Sequence, residues 1–190
     1  MNILVFDTEA QKTADEVGGW GNSDKMGVSC VGAWRSDTGM YRIWTHEEIK
    51  GFTEWMDWAE IIVGYNQMAY DYKALSPYMD VQKYINRKTN IDLNKGIKSV
   101  YGKFAPLDSV AEETLGVGKT KGVSGKDAPK LFKDGNWPKL FGYLLDDVQI
   151  TTKLFYHMLI KKQFTINKIT YNCNLNIAVK PFAQMDLFGG

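Results

Sequence analysis

Acidic side chains at three places in this 190-residue chain are spaced so that they could do chemistry together. Asp7-Thr8-Glu9 closes the apolar run Asn2 to Phe6, which reads as a buried strand. Side chains two apart on a strand share a face, so Asp7 and Glu9 point the same way. Two carboxylates on one face repel unless a cation lies between them, and a divalent metal ion would meet that need. A solvated turn after the strand accounts for the same residues. Asp71 follows Ile62-Val63-Gly64-Tyr65-Asn66, a second apolar strand and its exit loop. There it falls in the first turn of a helix, where the helix dipole alone would favour it. Asp146 and Asp147 lie in a helical segment built from Tyr143, Leu144, Leu145, Val148 and Ile150. Tyr143 and Asp147, four apart, share a helix face. One of the two aspartates lies close to the apolar stripe, where an unpaired charge is costly.

A sheet and its helices must hold these groups. Residues 11–25, with Gly18-Gly19-Trp20-Gly21 at their centre, read as a loop. Strands follow over 26–34 and 40–45, joined by a hairpin turn at Ser36-Asp37-Thr38-Gly39. Thr45 and Glu48 have the spacing of a capping box, and Ile49, Phe52, Met56 and Ala59 continue behind it as a helix. A short strand over 61–63 and a helix over about 70–79 come next. Residues 80–105 carry little pattern, except that Ile91-Asp92-Leu93 suits an edge strand. Pro106 and Gly116 bracket a helix with the stripe Leu107, Val110, Ala111, Leu115. Residues 117–129 read as a Gly/Lys/Ser-rich loop, 137–160 as one long helix, and the tail from Lys161 shows weak alternation. The order β-β-β-α-β-α followed by more helices implies an α/β fold, with helices packed on a mixed sheet.

Taken in order, a strand-end D-x-E, an aspartate after V-G-x-N and a helical Y-x-x-x-D resemble the DEDDy branch of the DEDD exonuclease superfamily. That branch includes the proofreading domains of family A and family B DNA polymerases. The resemblance covers about residues 1–160 and is nearest to stand-alone relatives of the family B domain. Asp7, Glu9, Asp71, Tyr143 and Asp147 carry it, with Asn66 at the family's asparagine and Leu107-x-x-Val110-Ala111 and Leu115-Gly116 between the second and third motifs. The loop after Glu9 and residues 80–105 have no counterpart. The resemblance implies a ribonuclease-H-like mixed β-sheet flanked by helices. It also implies hydrolysis of phosphodiester bonds from the 3′ end by two Mg²⁺ or Mn²⁺ ions about 3.5–4 Å apart. Asp7 would bridge both ions, Glu9 and Asp147 would complete the first, and Asp71 would hold the second through waters. Tyr143 would orient the attacking water. A phenol with a reference pKa of about 10 suits that positioning role better than that of a free base. Asp146, three residues from Tyr143, is the runner-up for Asp147. Thr8 and Asn66, within the motifs, are candidates for substrate contact.

Charge divides along the chain. Residues 1–80 hold 6 basic and 13 acidic side chains, whereas residues 81–140 hold 12 and 6. That division suits a protein holding cations in one place and a polyanion in another, and an ordinary mixed surface accounts for it equally well. Lys119, Lys121, Lys126, Lys130, Lys133 and Lys139 form a candidate phosphate-backbone surface, with Lys119 and Lys121 nearest the glycine-rich stretch. Gly116-Val117-Gly118-Lys119-Thr120 imitates the end of a P-loop. The required first glycine is replaced by Glu113 and the segment follows a helix, so triphosphate binding is excluded there. Trp20 could stack on a base, with Tyr65 and Phe104 as further candidates.

Hydrophobic residues at 44% supply enough material for a core, so disorder is excluded. Two cysteines and two histidines are too few for a disulfide scaffold or a cysteine/histidine metal centre. No apolar run reaches the roughly 20 residues of a membrane span. The first residues lack a signal-peptide pattern, which makes a cytoplasmic monomer the expectation. Residues 161–190 are expected to form a tail after the 1–160 exonuclease domain. Gln184-Met185-Asp186-Leu187-Phe188 resembles the bacterial sliding-clamp-binding peptide Q-x-[DS]-L-F. In such a peptide Leu187 and Phe188 would fill an apolar pocket and Gln184 would fix the register. A tail folding back on its own domain is the other reading. A clamp partner would favour DNA over RNA as the nucleic acid. RNA trimming and an inactive nucleic-acid- or clamp-binding module are the rival functions.

Overall fold

A computed structural model of the chain describes residues 1–118, 125–175 and 177. Lys119, Lys121 and the peptide 184–188 lie outside the described residues.

The first strand is longer than its apolar run. β1 spans Ile3–Ala10, so Asp7 and Glu9 belong to the strand itself. Acidic residues are poor strand formers, but pairing with a neighbour overrides that preference. β2 (Val28–Arg35) runs antiparallel to β1 along its length, with Asp7 opposite Gly32 and Glu9 opposite Cys30. β3 (Tyr41–Thr45) pairs with the outer side of β2. Behind it, Glu48 accepts hydrogen bonds from the Thr45 amide and hydroxyl, and α1 (Ile49–Trp58) begins.

β4 (Ile61–Gly64) lies parallel to β1 on its other side, and β5 (Thr89–Asp92) lies parallel to β4 at the edge. The sheet order is β3-β2-β1-β4-β5, a mixed five-stranded sheet with β1 at its centre. Between β4 and β5, α2 is confined to Asp71–Leu75, because Pro77 follows. α3 (Val81–Arg87) and α4 (Leu93–Tyr101) occupy the weakly patterned stretch. Each starts on an aspartate cap: Asp80 accepts from the Lys83 amide and Asp92 from the Lys95 amide.

α5 (Leu107–Leu115) matches its sequence signals. The Gly/Lys/Ser-rich segment, read as loop through residue 129, gives way to α6 (Ala128–Lys133), where Pro129 stands in the first turn. α7 (Trp137–Lys161) is the long helix. The alternation beyond it is a hairpin of β6 (Gln163–Ile166) and β7 (Ile169–Asn172), with Phe164 and Ile166 buried in the core.

Strand alternation divides the core into two halves. Ile3 and Val5 join Val63, Leu140, Leu144 and Val148 on one face of the sheet; Leu4 and Phe6 join Phe52, Met56 and Tyr72 on the other. α7 lies against β2 at Gly32, where a Cβ atom would come within 2.8 Å of Leu144 Cγ. That close approach sets the height of α7 over β1. Among the described residues, no helix is long and apolar enough to cross a membrane.

Candidate active site

Odd-numbered residues of β1 face α7. Asp7 and Glu9 therefore continue the row of Ile3 and Val5 past the end of the core, and Asp147 of α7 meets them there. One carboxylate oxygen from each of Asp7, Glu9 and Asp147 lies within 4.8 Å of the others. Glu9 and Asp147 are buried, as is Tyr143, one turn before Asp147 on the same helix face. Asp146 is half-buried and outside this group.

Thr8 points to the opposite face of β1. Its hydroxyl donates to Asp71 Oδ1 at 2.6 Å, and both side chains are buried. Asp71 thus adjoins β1 through Thr8 and is not part of the three-carboxylate group. Burial pushes the Asp71 carboxyl well above the usual carboxylate range; the bond from Thr8 opposes that rise and the charge of Asp92 adds to it.

A cleft of about 430 Å³ opens over these residues. Its floor holds Asp7, Glu9, Tyr143 and Asp147, and Trp20, Tyr70 and Lys126 stand on its walls. Trp20 is 63% exposed, and its ring meets Tyr70 edge-on at 5.9 Å. The turn that carries Trp20 is fastened from α2, where Lys73 donates to the Gly21 carbonyl and pairs with Asp24 at 3.5 Å. Across the cleft, Lys133 of α6 reaches Glu16 at 2.6 Å. The loop after Glu9 and the segment before α7 are therefore tied together beside the acidic floor.

The profile of the RNase_H superfamily matches residues 4–159. The chain belongs to this superfamily. The fold is also similar to the family B DNA polymerase of the hyperthermophilic archaeon Pyrobaculum calidifontis, with a TM-score of 0.65 and 22% identity over 83% of this chain. This chain spans 24% of that polymerase's length, and at that identity the likeness is one of fold. No curated protein matches the sequence.

The donor set of this RNase H superfamily member suits a hard cation. Three carboxylates offer oxygen ligands only, the preference of Mg²⁺ and Mn²⁺. Cys30, opposite Glu9 on β2, supplies no thiolate: burial, with the charge of Glu9 adding to it, pushes its thiol up to about 12. Burial raises the Tyr70 phenol too, and the charge of Asp71 raises it further, so it remains a neutral hydrogen-bonding group.

Three sequence candidates stand elsewhere. Asn66 lies on the turn after β4, at φ 72°, beside a second cavity that also holds Phe104. The Tyr65 hydroxyl donates to the Ala105 carbonyl at 2.7 Å, a scaffold contact. Tyr70 went unremarked in the sequence, although an aromatic directly before a candidate ligand was a usable signal. Lys126 could be read only as one of six lysines; its place on the wall depends on how α6 docks.

Proposed function

We propose that this chain is a metal-dependent 3′→5′ exonuclease of the DEDDy branch acting on DNA. The observation that carries this reading is the meeting of Asp7, Glu9 and Asp147 beside Tyr143, in a cleft of an RNase H superfamily fold. Asp7, Glu9 and Asp147 would hold one divalent ion, and Asp71, oriented by Thr8, would contribute to a second. When bound, such ions supply Lewis acidity toward the phosphate and the water that attacks it. Tyr143 offers a buried phenol to orient that water. The water oxygen bonds to phosphorus, the bond from phosphorus to the 3′ oxygen breaks, and the leaving oxygen takes up a proton. The product is a nucleoside 5′-monophosphate. Trp20 offers a face for the terminal base, and Lys126, with Lys119 and Lys121, offers positive charge for the phosphates.

Within this proposal residues 1–160 carry the nuclease motifs, the hairpin of β6 and β7 packs on them, and Gln184, Leu187 and Phe188 recruit the protein to a sliding clamp. Replacing Leu187 and Phe188 by alanine should abolish clamp pull-down and leave hydrolysis of short oligonucleotides unchanged. Unchanged pull-down removes the recruitment.

The activity is tested with 5′-labelled single-stranded DNA and RNA of one sequence, incubated with Mg²⁺ or Mn²⁺ beside Asp7→Ala. A metal-dependent ladder on DNA, shortening from the 3′ end and absent in the variant, is the expected result. A ladder on RNA alone reassigns the substrate to RNA. Intact substrate of both kinds, with binding retained in a gel shift, replaces the exonuclease by a nucleic-acid-binding module.

A further inference from the structure

The hairpin of β6 and β7 is fastened to the body of the protein along one edge. The Thr114 hydroxyl of α5 accepts the Thr165 amide at 2.9 Å and donates to the Thr165 carbonyl at 3.2 Å. Glu113 accepts the amides of the two turn residues, Asn167 at 2.9 Å and Lys168 at 2.6 Å. Both backbone groups of Thr165 therefore point away from β7. Antiparallel pairs alternate between exchanging two bonds and exchanging none. Thr165 stands opposite Thr170 and Gln163 opposite Asn172, and both pairs are of the second kind. One step further along, the Lys162 carbonyl accepts the Cys173 amide at 2.8 Å, as this alternation requires. The amides and carbonyls of Thr170 and Asn172 thus face outward from β7.

Among the described residues, no strand pairs with that outer edge. Ile169, Thr170 and Asn172 are exposed, Ile169 to 54%. Natural edge strands are blunted by charge, proline or a bulge, and β7 contains none of these. At its end the edge runs into a cavity of about 410 Å³, bounded by Val100, Lys161, Lys162, Asn172, Cys173 and Asn174. Val100 is 43% exposed. Two ammonium groups and no carboxylate bound that space.

We propose that the outer edge of β7 is a docking site for an extended acidic peptide of another protein. The peptide adds to the hairpin as a third strand and exchanges main-chain bonds with Thr170 and Asn172. An apolar side chain lies on Val100, and a carboxylate meets Lys161 and Lys162. A second copy of this chain is the poorer occupant. Two β7 edges related by a two-fold axis run antiparallel. Lys168, at the start of one strand, would then approach Lys161 and Lys162, beside the end of the other. Like charges oppose that pairing, and the same charges select a negative strand. None of these residues lines the acidic cleft, so the docking is independent of the nuclease reading.

The test titrates isotope-labelled, metal-free protein with an acetylated peptide that alternates valine and threonine and ends in two aspartates. One control peptide carries lysines in place of the aspartates. Another is N-methylated at alternate amides, which removes its donors toward β7. The acidic peptide should shift the amide resonances of residues 169–173 and slow hydrogen exchange at Thr170 and Asn172. N-methylation should weaken binding by about 2- to 10-fold. Lys161→Gln and Lys162→Gln should each weaken the acidic peptide by about 1.5- to 5-fold. Thr170→Pro removes an outward donor without touching a ladder bond, so it should match the effect of N-methylation. The methylated peptide carries the test if that variant fails to fold. No shift at β7, equal affinity for the lysine peptide, or undiminished binding of the methylated peptide overturns the proposal. Shifts at β7 that grow with protein concentration alone, without peptide, overturn it in favour of a second copy.

Discussion

Thr8 and Asp71, 63 positions apart in sequence, are joined by a buried 2.6 Å hydrogen bond from the threonine hydroxyl to the aspartate Oδ1. The bond ties the centre strand to the first turn of α2 and partly offsets the burial of a carboxylate. Thr8→Val keeps the shape and removes the donor, so denaturant unfolding should show a loss of about 1–3 kcal/mol. Thr8→Ser should recover most of it. Equal stability of the valine variant and wild type would show that the bond contributes nothing.

Metal binding should distinguish the two neighbouring aspartates. At a hundredfold excess of metal over Kd, binding to the native state adds about 2.7 kcal/mol, or roughly 5–10 °C in Tm for a domain of this size. Asp147→Asn should abolish the rise with Mg²⁺ or Mn²⁺, whereas Asp146→Asn should retain it. The reverse pattern in a thermal-shift series would move the ligand to Asp146.

Gly32 is required by the approach of α7, because a side chain there meets Leu144. Gly32→Val should lower stability by about 1–3 kcal/mol through overpacking. The displaced helix carries Asp147, so the variant should also bind metal more weakly than its stability loss alone explains. Isothermal titration on protein still folded at the working temperature measures this directly.

The Glu16–Lys133 pair gives a pH signature. A hydrogen bond from Lys133, with help from Thr13, holds the Glu16 carboxyl down at about 2. A lowered folded-state pKa means the contribution is present above the ordinary value of 4.5 and is lost as pH falls toward 2. Glu16→Gln should therefore lower Tm slightly at pH 7, and the difference should close by pH 2. Salt should narrow it throughout, because the pair is exposed to solvent. A Tm difference that persists unchanged at pH 2 would assign the effect to something other than charge.

Local periodicity exposed much of this architecture in advance. Strands β1 to β4, α1, α5 and α7 follow from apolar runs and caps, and the D-x-E and Y-x-x-x-D spacings place Asp7 with Glu9 and Tyr143 with Asp147. What stayed hidden depends on tertiary contact. α3, α4 and α6 are short and polar, with boundaries set by Asp80, Asp92 and Pro129 rather than by a hydrophobic stripe. The separation of Asp71 from the other carboxylates, and its bond to Thr8, depends on which face of β1 each residue occupies.

Asp147 stands on α7 and is therefore made well after Asp7 and Glu9 of β1. During synthesis, a chain that has reached residue 140 already holds three of its four motif carboxylates but lacks the helix turn that completes the acidic group. Leu144 and Val148, which seat that helix on the sheet, arrive together with Asp147. The messenger and transfer RNAs around a nascent chain therefore meet no assembled site. The acidic group is therefore completed only when α7 docks on the sheet.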